Sequence, residues 1–299
     1  MRIERLVPEV PNAGERLRLL VDTDAANEID DLYAVALALR ARDRFGLEGF
    51  VATHFRSHQD STERSYRLLL RELEAAGESG AYEVRRGGDP MAYTGVASES
   101  EGSELIIERA LAGSPDDPLW VVCLGAATNL AAAILKAPEI ASLVRYVFHA
   151  RNEAHWPNRT TQFNVVNDIL AARTLLESDV PLVWFDTGTT LTIPFEETAR
   201  RLAPLDALGE FLHEYRRTTP HWMTDKKGFY DVGDIAYLID PSCCEEEVVP
   251  APTLKRSLGF DSERTHGAMR RAFNIDAAKS WSIFFEKLEA PATVETSAG

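Results

Sequence analysis

Five acidic side chains crowd the segment VDTDAANEIDDLYAVALALR, residues 21–40, which has no basic residue before Arg40. They are Asp22, Asp24, Glu28, Asp30 and Asp31. Carboxylates brought this close repel one another unless one of them is protonated or a cation lies among them. Hard cations such as Ca²⁺ and Mg²⁺ prefer oxygen ligands of this kind. The segment therefore predicts a site for a metal ion.

The elements around these acids account for part of the crowding. LRLLV is apolar and predicts a buried parallel strand, so Asp22 and Asp24 follow at its carboxyl end, where open α/β sheets bind ligands. Apolar residues then recur at helical spacing, with Asn27 as the predicted N-cap and the other three acids in the first turn. The helix dipole stabilises acids there by about 0.3 to 1 kcal/mol each, but it does nothing for the two at the strand end.

Short apolar runs alternate with amphipathic stretches along the whole chain, which predicts an α/β fold. The strand candidates are LRLLVDTD, LEGFVATH, YEVRRG, LWVVCLG, LVRYVFHA and VPLVWFD, and clear helix candidates are STERSYRLLLRELEAAG and SELIIERALAG. In the last third, EEEVVPAPTLKRS predicts a strand and RRAFNIDAAKSWSIFFEKL a strand followed by a helix. We expect an open, largely parallel sheet flanked by helices, in a single domain over residues 1–299 with its core at about 17–290 and mobile termini.

Composition limits the classes of partner. The chain has 299 residues, 45% of them hydrophobic, which is enough for a sizeable core. A formal net charge of −15 disfavours nucleic acid and anionic membrane surfaces, so a neutral ligand or a cation is the expected partner. No segment is apolar enough to span a bilayer and no secretory leader is apparent, so we expect a cytoplasmic protein. Three cysteines without a zinc-binding arrangement predict buried thiols.

Four motifs, in order, resemble those of the nucleoside hydrolase family, in particular its inosine-uridine-preferring group. DTDAANEIDDLYAVALAL is similar to the amino-terminal signature, an Asp-x-Asp pair followed by Asp-Asp at a helix start, here with a gap two residues longer. CLGAATNLAAAI resembles the Gly-x-x-Thr-Asn turn, TTQFNVVNDILAAR the Glu-Phe-Asn motif, and GFYDVGDIAYLID the late metal-binding Asp. The resemblance extends over about residues 17–290 and implies a Rossmann-like nucleoside hydrolase fold.

The resemblance implies a Ca²⁺ site made of the carboxylates of Asp24, Asp31 and Asp231 and the backbone carbonyl of Thr128. It implies that Asp24 takes a proton from the attacking water and that Asp22 supports it from behind. The implied reaction is hydrolysis of the N-glycosidic bond of a ribonucleoside or related riboside, giving ribose and a free base. Such a reaction passes through an oxocarbenium-like state, which nearby negative charge stabilises. A homodimer or homotetramer is the implied assembly.

The residues matched to substrate binding are Asp22, Asp30, Gln162 and Asn164. Two positions depart from the family pattern. Gln162 stands where many members have Glu. The glutamine can still hydrogen-bond to a sugar hydroxyl, but it lacks the negative charge of Glu. Tyr230 stands where a His commonly protonates the departing base, and a tyrosine, with an ordinary pKa of about 10, is a poorer acid at neutral pH.

Other residues were weighed for the missing acid and for base recognition. His54, His155 and His221 are candidates to replace the His, although a lone histidine more often has a packing or surface role. Trp156 and Trp222 could stack on a base, although packing is again the commoner role. Base recognition is expected on variable loops, at about residues 152–163 and 215–230.

Two other functions fit parts of the sequence. The Asp-x-Asp after a strand also resembles the nucleophile turn of Mg²⁺-dependent haloacid dehalogenase-like phosphatases, for which VGDIAYLID is only a loose match to the second acidic motif. A catalytically impaired relative that binds calcium and a ribosyl ligand without cleaving it would also tolerate Gln162 and Tyr230. Turnover of p-nitrophenyl riboside, which needs no leaving-group acid, separates the hydrolase from the binder.

Overall fold

A computed structural model describes residues 5–55 and 59–290, which form one eight-stranded sheet. The strands are β1 (Leu17–Thr23), β2 (Phe45–Ala52), β3 (Val84–Arg86), β4 (Leu119–Cys123), β5 (Val144–His149), β6 (Leu182–Phe185), β7 (Glu245–Leu254) and β8 (Phe260–Phe273). Their order in the sheet is β3-β2-β1-β4-β5-β6-β8-β7. Only β7 and β8 pair antiparallel. The predicted α/β fold with an open, largely parallel sheet is confirmed.

Helices cover both faces of the sheet. They are α1 (Asp30–Arg40), α2 (Ser61–Ala75), α3 (Glu101–Leu111), α4 (Thr128–Lys136), α5 (Phe163–Asn167), α6 (Ile169–Glu177), α7 (Phe195–Arg201), α8 (Ala207–Arg217), α9 (Val232–Ile239) and α10 (Ala277–Glu289). Because strand side chains alternate, Leu19 and Val21 of β1 join an apolar cluster with α1, α9 and α10, whereas Leu20 joins a second cluster with α3, α4 and α6. A strand buried on both faces needs the continuous apolar run that LRLLV provides.

The order of the strands places a crevice beside β1. The chain runs outward from β1 through β2 to β3 and then resumes with β4 on the other side of β1. In open α/β sheets, ligands bind outside the carboxyl ends of the strands at such a switch point. A Cβ atom on Gly125, just after β4, would lie 2.3 Å from Thr53 Cγ2 and 3.1 Å from Asp24 Cβ. The glycine therefore allows the turn after β4 to approach the acidic turn after β1.

The start of α1 differs from the prediction. The helix begins at Asp30, and Ile29 at the N-cap position makes no side-chain capping bond. Asn27 instead donates its backbone N–H to the carbonyl of Asp24 at 2.7 Å. The predicted N-cap at Asn27 is wrong, because a backbone turn intervenes between the strand and the helix. Glu28 consequently precedes the helix and is not part of its first turn.

Two arginines hold the amino-terminal segment against the rest of the fold. Arg5 is buried, and its Nε donates to the carbonyl of Val180 at 2.8 Å. Arg44 donates to the carbonyl of Asn12 at 2.7 Å. Residues 5–12 therefore have specific contacts with the rest of the fold. Residues 1–4 and 291–299, to which the prediction of mobile termini also applies, lie outside the described ranges.

Helix lengths and thiol burial bear on the expectations from composition. Within residues 5–55 and 59–290, no helix is both long enough and apolar enough to cross a membrane. Cys123 and Cys243 are buried as free thiols, and Cys244 is half-buried.

Candidate active site

A polar pocket of about 160 Å³ opens at the carboxyl ends of the central strands. Its acidic lining consists of Asp24, Glu28, Asp30, Asp31 and Asp231. The other polar residues that line it are Asn27, His149, Arg151, Gln162, Asn164 and Tyr230, with Leu124 and Phe163 as apolar contributions. Four of the five crowded acids of residues 21–40 therefore share one cavity with the late acid Asp231, about 200 positions away.

Three carboxylates meet at the base of this pocket. Asp24, Asp31 and Asp231 line it together, and the charges of Asp31 and Asp24 both act on Asp231. Carboxylate oxygens of Asp30, Asp31 and Asp231 lie within 4.8 Å of one another. Thr23 also donates its hydroxyl to Asp31. Asp231 occupies the N-cap position of α9 without making a side-chain capping bond, so its carboxylate stays available to the pocket.

Burial and mutual repulsion hold protons on this cluster when no cation is present. Burial, followed by the charges of Asp31 and Asp30, raises the pKa of Asp24 well above its usual range. Burial and neighbouring acids likewise raise the pKa of Asp231, and burial raises that of Asp31 to about 7. Within the described residues, Asp24 Oδ2 is buried without a hydrogen-bond partner. An acceptor oxygen left unpaired among carboxylates suits a hard divalent cation such as Ca²⁺ or Mg²⁺.

A buried lysine that was not predicted from the sequence partly compensates the negative charge of residues 21–40. Lys227 Nζ lies 3.2 Å from Asp30 Oδ1 and 2.6 Å from Glu28 Oε2, and it also donates to the carbonyl of Gly228. Burial opposes its charge, yet Asp30 and Glu28 together raise the pKa of its ammonium group above the ordinary value. Glu28 therefore forms an ion pair with Lys227, and the prediction that it acts mainly through the helix dipole is wrong.

Asp30 is held at both carboxylate oxygens. Lys227 contacts Oδ1, and the backbone N–H of Tyr230 donates to Oδ2 at 3.1 Å. The Tyr230 ring packs against Gly228, where an added Cβ would lie 2.1 Å from the ring atom Cε1. Gly228 is thus needed for the ring to occupy this place on the pocket wall. The two contacts fix the orientation of Asp30 towards whatever binds in the pocket.

Two amide side chains from the α5 region also line the pocket. Gln162 Oε1 accepts the backbone N–H of Val165 at 3.1 Å and so caps α5, which leaves its amide NH₂ as a donor. Asn164 Nδ2 donates to the carbonyl of Leu124 at 2.5 Å and to that of His149 at 3.3 Å. The Asn164 oxygen is then the atom free to accept from a hydroxyl.

Two residues matched to the site lie off the pocket surface. Asp22 is fully buried beneath it and accepts from Asn129 Nδ2 at 3.1 Å, and burial raises the pKa of Asp22 to about 8. Thr128 donates its hydroxyl to Asp168 Oδ2 at 2.7 Å and does not line the pocket. The residue after β4 that does line it is Leu124. Asp22 is therefore not placed to contact a substrate directly. Thr128 does not occupy the position expected of the residue whose backbone carbonyl binds the metal ion.

His149 is the histidine on the pocket wall among the described residues, and the sequence analysis missed it. Its Nδ1 lies 2.6 Å from Asp234 Oδ2 and 3.5 Å from Asp231 Oδ1. These three side chains come close enough to hold a metal, but the distance to Asp234 is that of a hydrogen bond, which occupies Nδ1. Its position at the carboxyl end of LVRYVFHA was the available signal. His54, His155 and His221 do not line this pocket.

The two tryptophans considered for base stacking pack against other aromatic rings. The Trp156 ring centroid lies 5.1 Å from that of Phe260. Trp222 is buried, and its ring stacks on Tyr215 with centroids 5.7 Å apart. Neither lines the acidic pocket.

Comparison with known proteins gives one family. The family model described as inosine-uridine preferring nucleoside hydrolase matches residues 19–294. A search of curated proteins found no match.

Solved structures of similar fold carry nucleoside hydrolase titles. A plant nucleoside hydrolase superposes with a TM-score of 0.75 at 17% identity, covering 93% of this chain and 100% of the other. A purine-preferring ribonucleoside hydrolase from Gardnerella vaginalis gives 0.71 at 20% identity, with 91% and 98% covered. An inosine-guanosine nucleoside hydrolase gives 0.75 at 14% identity, with 93% and 100% covered. At these identities the likeness establishes the fold.

Proposed function

The chain belongs to the inosine-uridine preferring nucleoside hydrolase family, and from that premise we propose that it uses calcium to hydrolyse the N-glycosidic bond of a ribonucleoside or related riboside. The family is metal-dependent and acts on small-molecule nucleosides, and this chain is a nucleoside hydrolase. The observation that carries the proposal is that Asp24, Asp31 and Asp231 line one pocket, in which the buried Asp24 Oδ2 has no hydrogen-bond partner among the described residues.

We propose that Asp24, Asp31 and Asp231 hold the ion, with the Leu124 carbonyl as the neutral ligand in place of Thr128. The set offers only oxygen donors, which favours Ca²⁺ over a transition metal. A bound calcium ion would supply positive charge that makes a water a better nucleophile and that orients ribose hydroxyls.

Asp24 acts as the general base in this account. It accepts a proton from the water that attacks C1′ of the ribose, while the C1′–N bond breaks and its electron pair leaves with the base. Burial, followed by the charges of Asp31 and Asp30, raises the pKa of Asp24 and so favours its acceptance of a proton, and Asp22 adds to this effect when it is ionised. The negative charges around the sugar stabilise the positive charge that develops on C1′.

The ribose is oriented by three side chains. Asp30, held by Lys227 and the Tyr230 N–H, accepts from a ribose hydroxyl. The Asn164 oxygen accepts from a second hydroxyl, and the Gln162 amide donates to a sugar oxygen. Holding the sugar in this way places C1′ for attack, which is a large share of what such a site contributes to the rate.

The identity of the leaving group tests this reaction. Since Tyr230 replaces the usual His, we expect p-nitrophenyl riboside, whose leaving group needs no proton, to be hydrolysed at least about 10²-fold faster than uridine or inosine, the usual worth of a general acid. Steady-state kinetics on the three substrates measures the ratio. Equal rates would show that another acid protonates the base, and His149→Gln would then identify it or exclude it.

A catalytically impaired, calcium-dependent ribosyl-binding protein is the second candidate function. The residues at positions 162 and 230 favour it, because one removes a negative charge and the other an imidazole acid. Binding of ribose with no hydrolysis of p-nitrophenyl riboside would establish the binder. Turnover of this substrate would exclude it.

Calcium and pH should act together on stability. Asp22, Asp31 and their neighbours hold protons in the folded chain at pH values where an unfolded aspartate, with a pKa of about 3.9, has lost its own. Protonation therefore stabilises the chelated protein, and this contribution is lost as pH rises from about 4 to about 8, so its Tm should fall over that range. Calcium requires ionised carboxylates, so the Tm gain on adding it should be larger at pH 8 than at pH 5. Thermal unfolding at both pH values, with chelator or calcium, measures this, and equal gains would contradict it.

A single domain, cytoplasmic location and self-association into a homodimer or homotetramer stay predictions from the sequence.

A further inference from the structure

Arg151, at the wall of the pocket, makes no ion pair with any residue that the structure describes. It is half-buried, and its Nε is buried without a hydrogen-bond partner among the same residues. Every other buried or half-buried arginine in residues 5–55 and 59–290 donates to a carboxylate or carbonyl oxygen. In a chain with 47 acidic and 32 basic residues, an arginine without an ion pair in an acidic pocket indicates a binding site for a ligand.

The guanidinium is oriented by stacking. Its central carbon lies 3.8 Å from the centroid of the Tyr230 ring. A guanidinium packed against an aromatic face keeps its N–H edge free, and that edge matches the oxygens of a carboxylate or phosphate. Stacking thus holds Arg151 ready to bind an anionic group.

Hydrogen-bond donors lie near Arg151, which also lines a second cavity of about 340 Å³. Arg151 and Gln162 line both cavities, and Gln162 presents its amide NH₂ because its oxygen caps α5. Thr161 and Thr189 also line the second cavity. Its one carboxylate, Glu153, accepts the backbone N–H of Asn274 at 2.7 Å.

We propose that Arg151, together with the amide of Gln162, binds an anionic oxygen group carried by the riboside, so that the preferred substrates are ribosides bearing a phosphate or a carboxylate. This rests on the proposed riboside hydrolysis and names its substrate class. The acidic end of the pocket holds the ribose hydroxyls, and the donor-rich end holds the anion. A net charge of −15 repels anions in general, so such a substrate needs a dedicated cation.

Three pairs of compounds distinguish the sources of the anion. Ribose 5-phosphate against ribose, and uridine 5′-monophosphate against uridine, test a phosphate on the sugar. Orotidine against uridine tests a carboxylate on the base. Calorimetry measures binding of the sugars, and steady-state kinetics measures kcat/KM for the nucleosides, in wild type, Arg151→Gln and the control Arg159→Gln. Arg159 is exposed on the same loop and lines neither cavity. Its replacement by Gln changes the net charge by the same amount as Arg151→Gln.

We expect at least one anionic compound to be favoured over its neutral partner by about 10- to 100-fold, the range for hydrogen bonds to a charged group, and Arg151→Gln but not Arg159→Gln to abolish the preference. Neutral compounds favoured in all three pairs would overturn the proposal. Equal losses for all substrates in Arg151→Gln would also overturn it, because they would mean that Arg151 only supports Tyr230. Binding of ribose 5-phosphate through Arg151 without hydrolysis of any riboside would support this subsite while overturning the proposed hydrolysis.

Discussion

Asp24→Asn is expected to lower kcat for p-nitrophenyl riboside by about 10²- to 10⁴-fold, the usual worth of a general base. Asparagine keeps the size of the side chain and one oxygen for a metal, but it cannot accept the proton of the attacking water. The Asp24 carboxylate is buried among the acids that converge on the pocket, so no bulk water replaces it at that position. Circular dichroism and calcium binding, measured beside the rate, separate a catalytic loss from a failure to fold or to hold the ion.

Asp116→Asn is the matched control for this variant. Asp116 is exposed and precedes the amino end of β4, whereas the pocket lies at the carboxyl ends of the strands. The same chemical change there should therefore leave kcat unaltered. Near-normal turnover by Asp24→Asn, with calcium bound, would remove Asp24 from its assigned role.

Lys227→Met is expected to destabilise the protein by about 3 to 5 kcal/mol, the range for removing one partner of a buried ion pair. Both Lys227 and Asp30 are only 5% exposed at their side chains, so Asp30 would be left with an uncompensated buried charge. Urea unfolding in the presence of chelator measures the change without a contribution from metal binding.

Two comparisons test the origin of that loss. Lys226→Met removes the neighbouring exposed lysine and should change stability by at most about 0.5 kcal/mol. Adding Asp30→Asn to Lys227→Met should recover part of the loss, because the second change removes the stranded charge. A loss no larger than that of Lys226→Met would show that the pair contributes little.

Local patterns were sufficient to predict the place of the site and the strands, except that β8 begins at Phe260, ten residues before the RRAFNID run predicted for it. The apolar run LRLLV predicts the burial of β1 on both faces, and a parallel sheet brings the carboxyl ends of its strands to one edge. That is why the acids after β1 lie at a crevice. The approach of Asp231 to them follows from no local pattern and was predicted from the resemblance.

The side chains that sequence analysis missed are those whose roles depend on distant partners. Lys227 reaches Asp30 across 197 positions, and nothing in its own neighbourhood marks it as a buried ion-pair partner. His149 ends β5 and Arg151 follows it in an ordinary strand-end sequence, and only the packing of Tyr230 and α9 beside them places them on the pocket wall. Asn27 was misjudged because a backbone turn and a helix N-cap use the same residue types.

Hydrolysis of p-nitrophenyl riboside by chelated protein, followed while calcium is added back, tests the central claim most directly. The account predicts no turnover in chelator and a rate that rises with calcium until one ion is bound per chain, as counted by elemental analysis of the same sample. Turnover that persists in chelator, or a saturated calcium site with no turnover, would contradict calcium-dependent hydrolysis at this pocket.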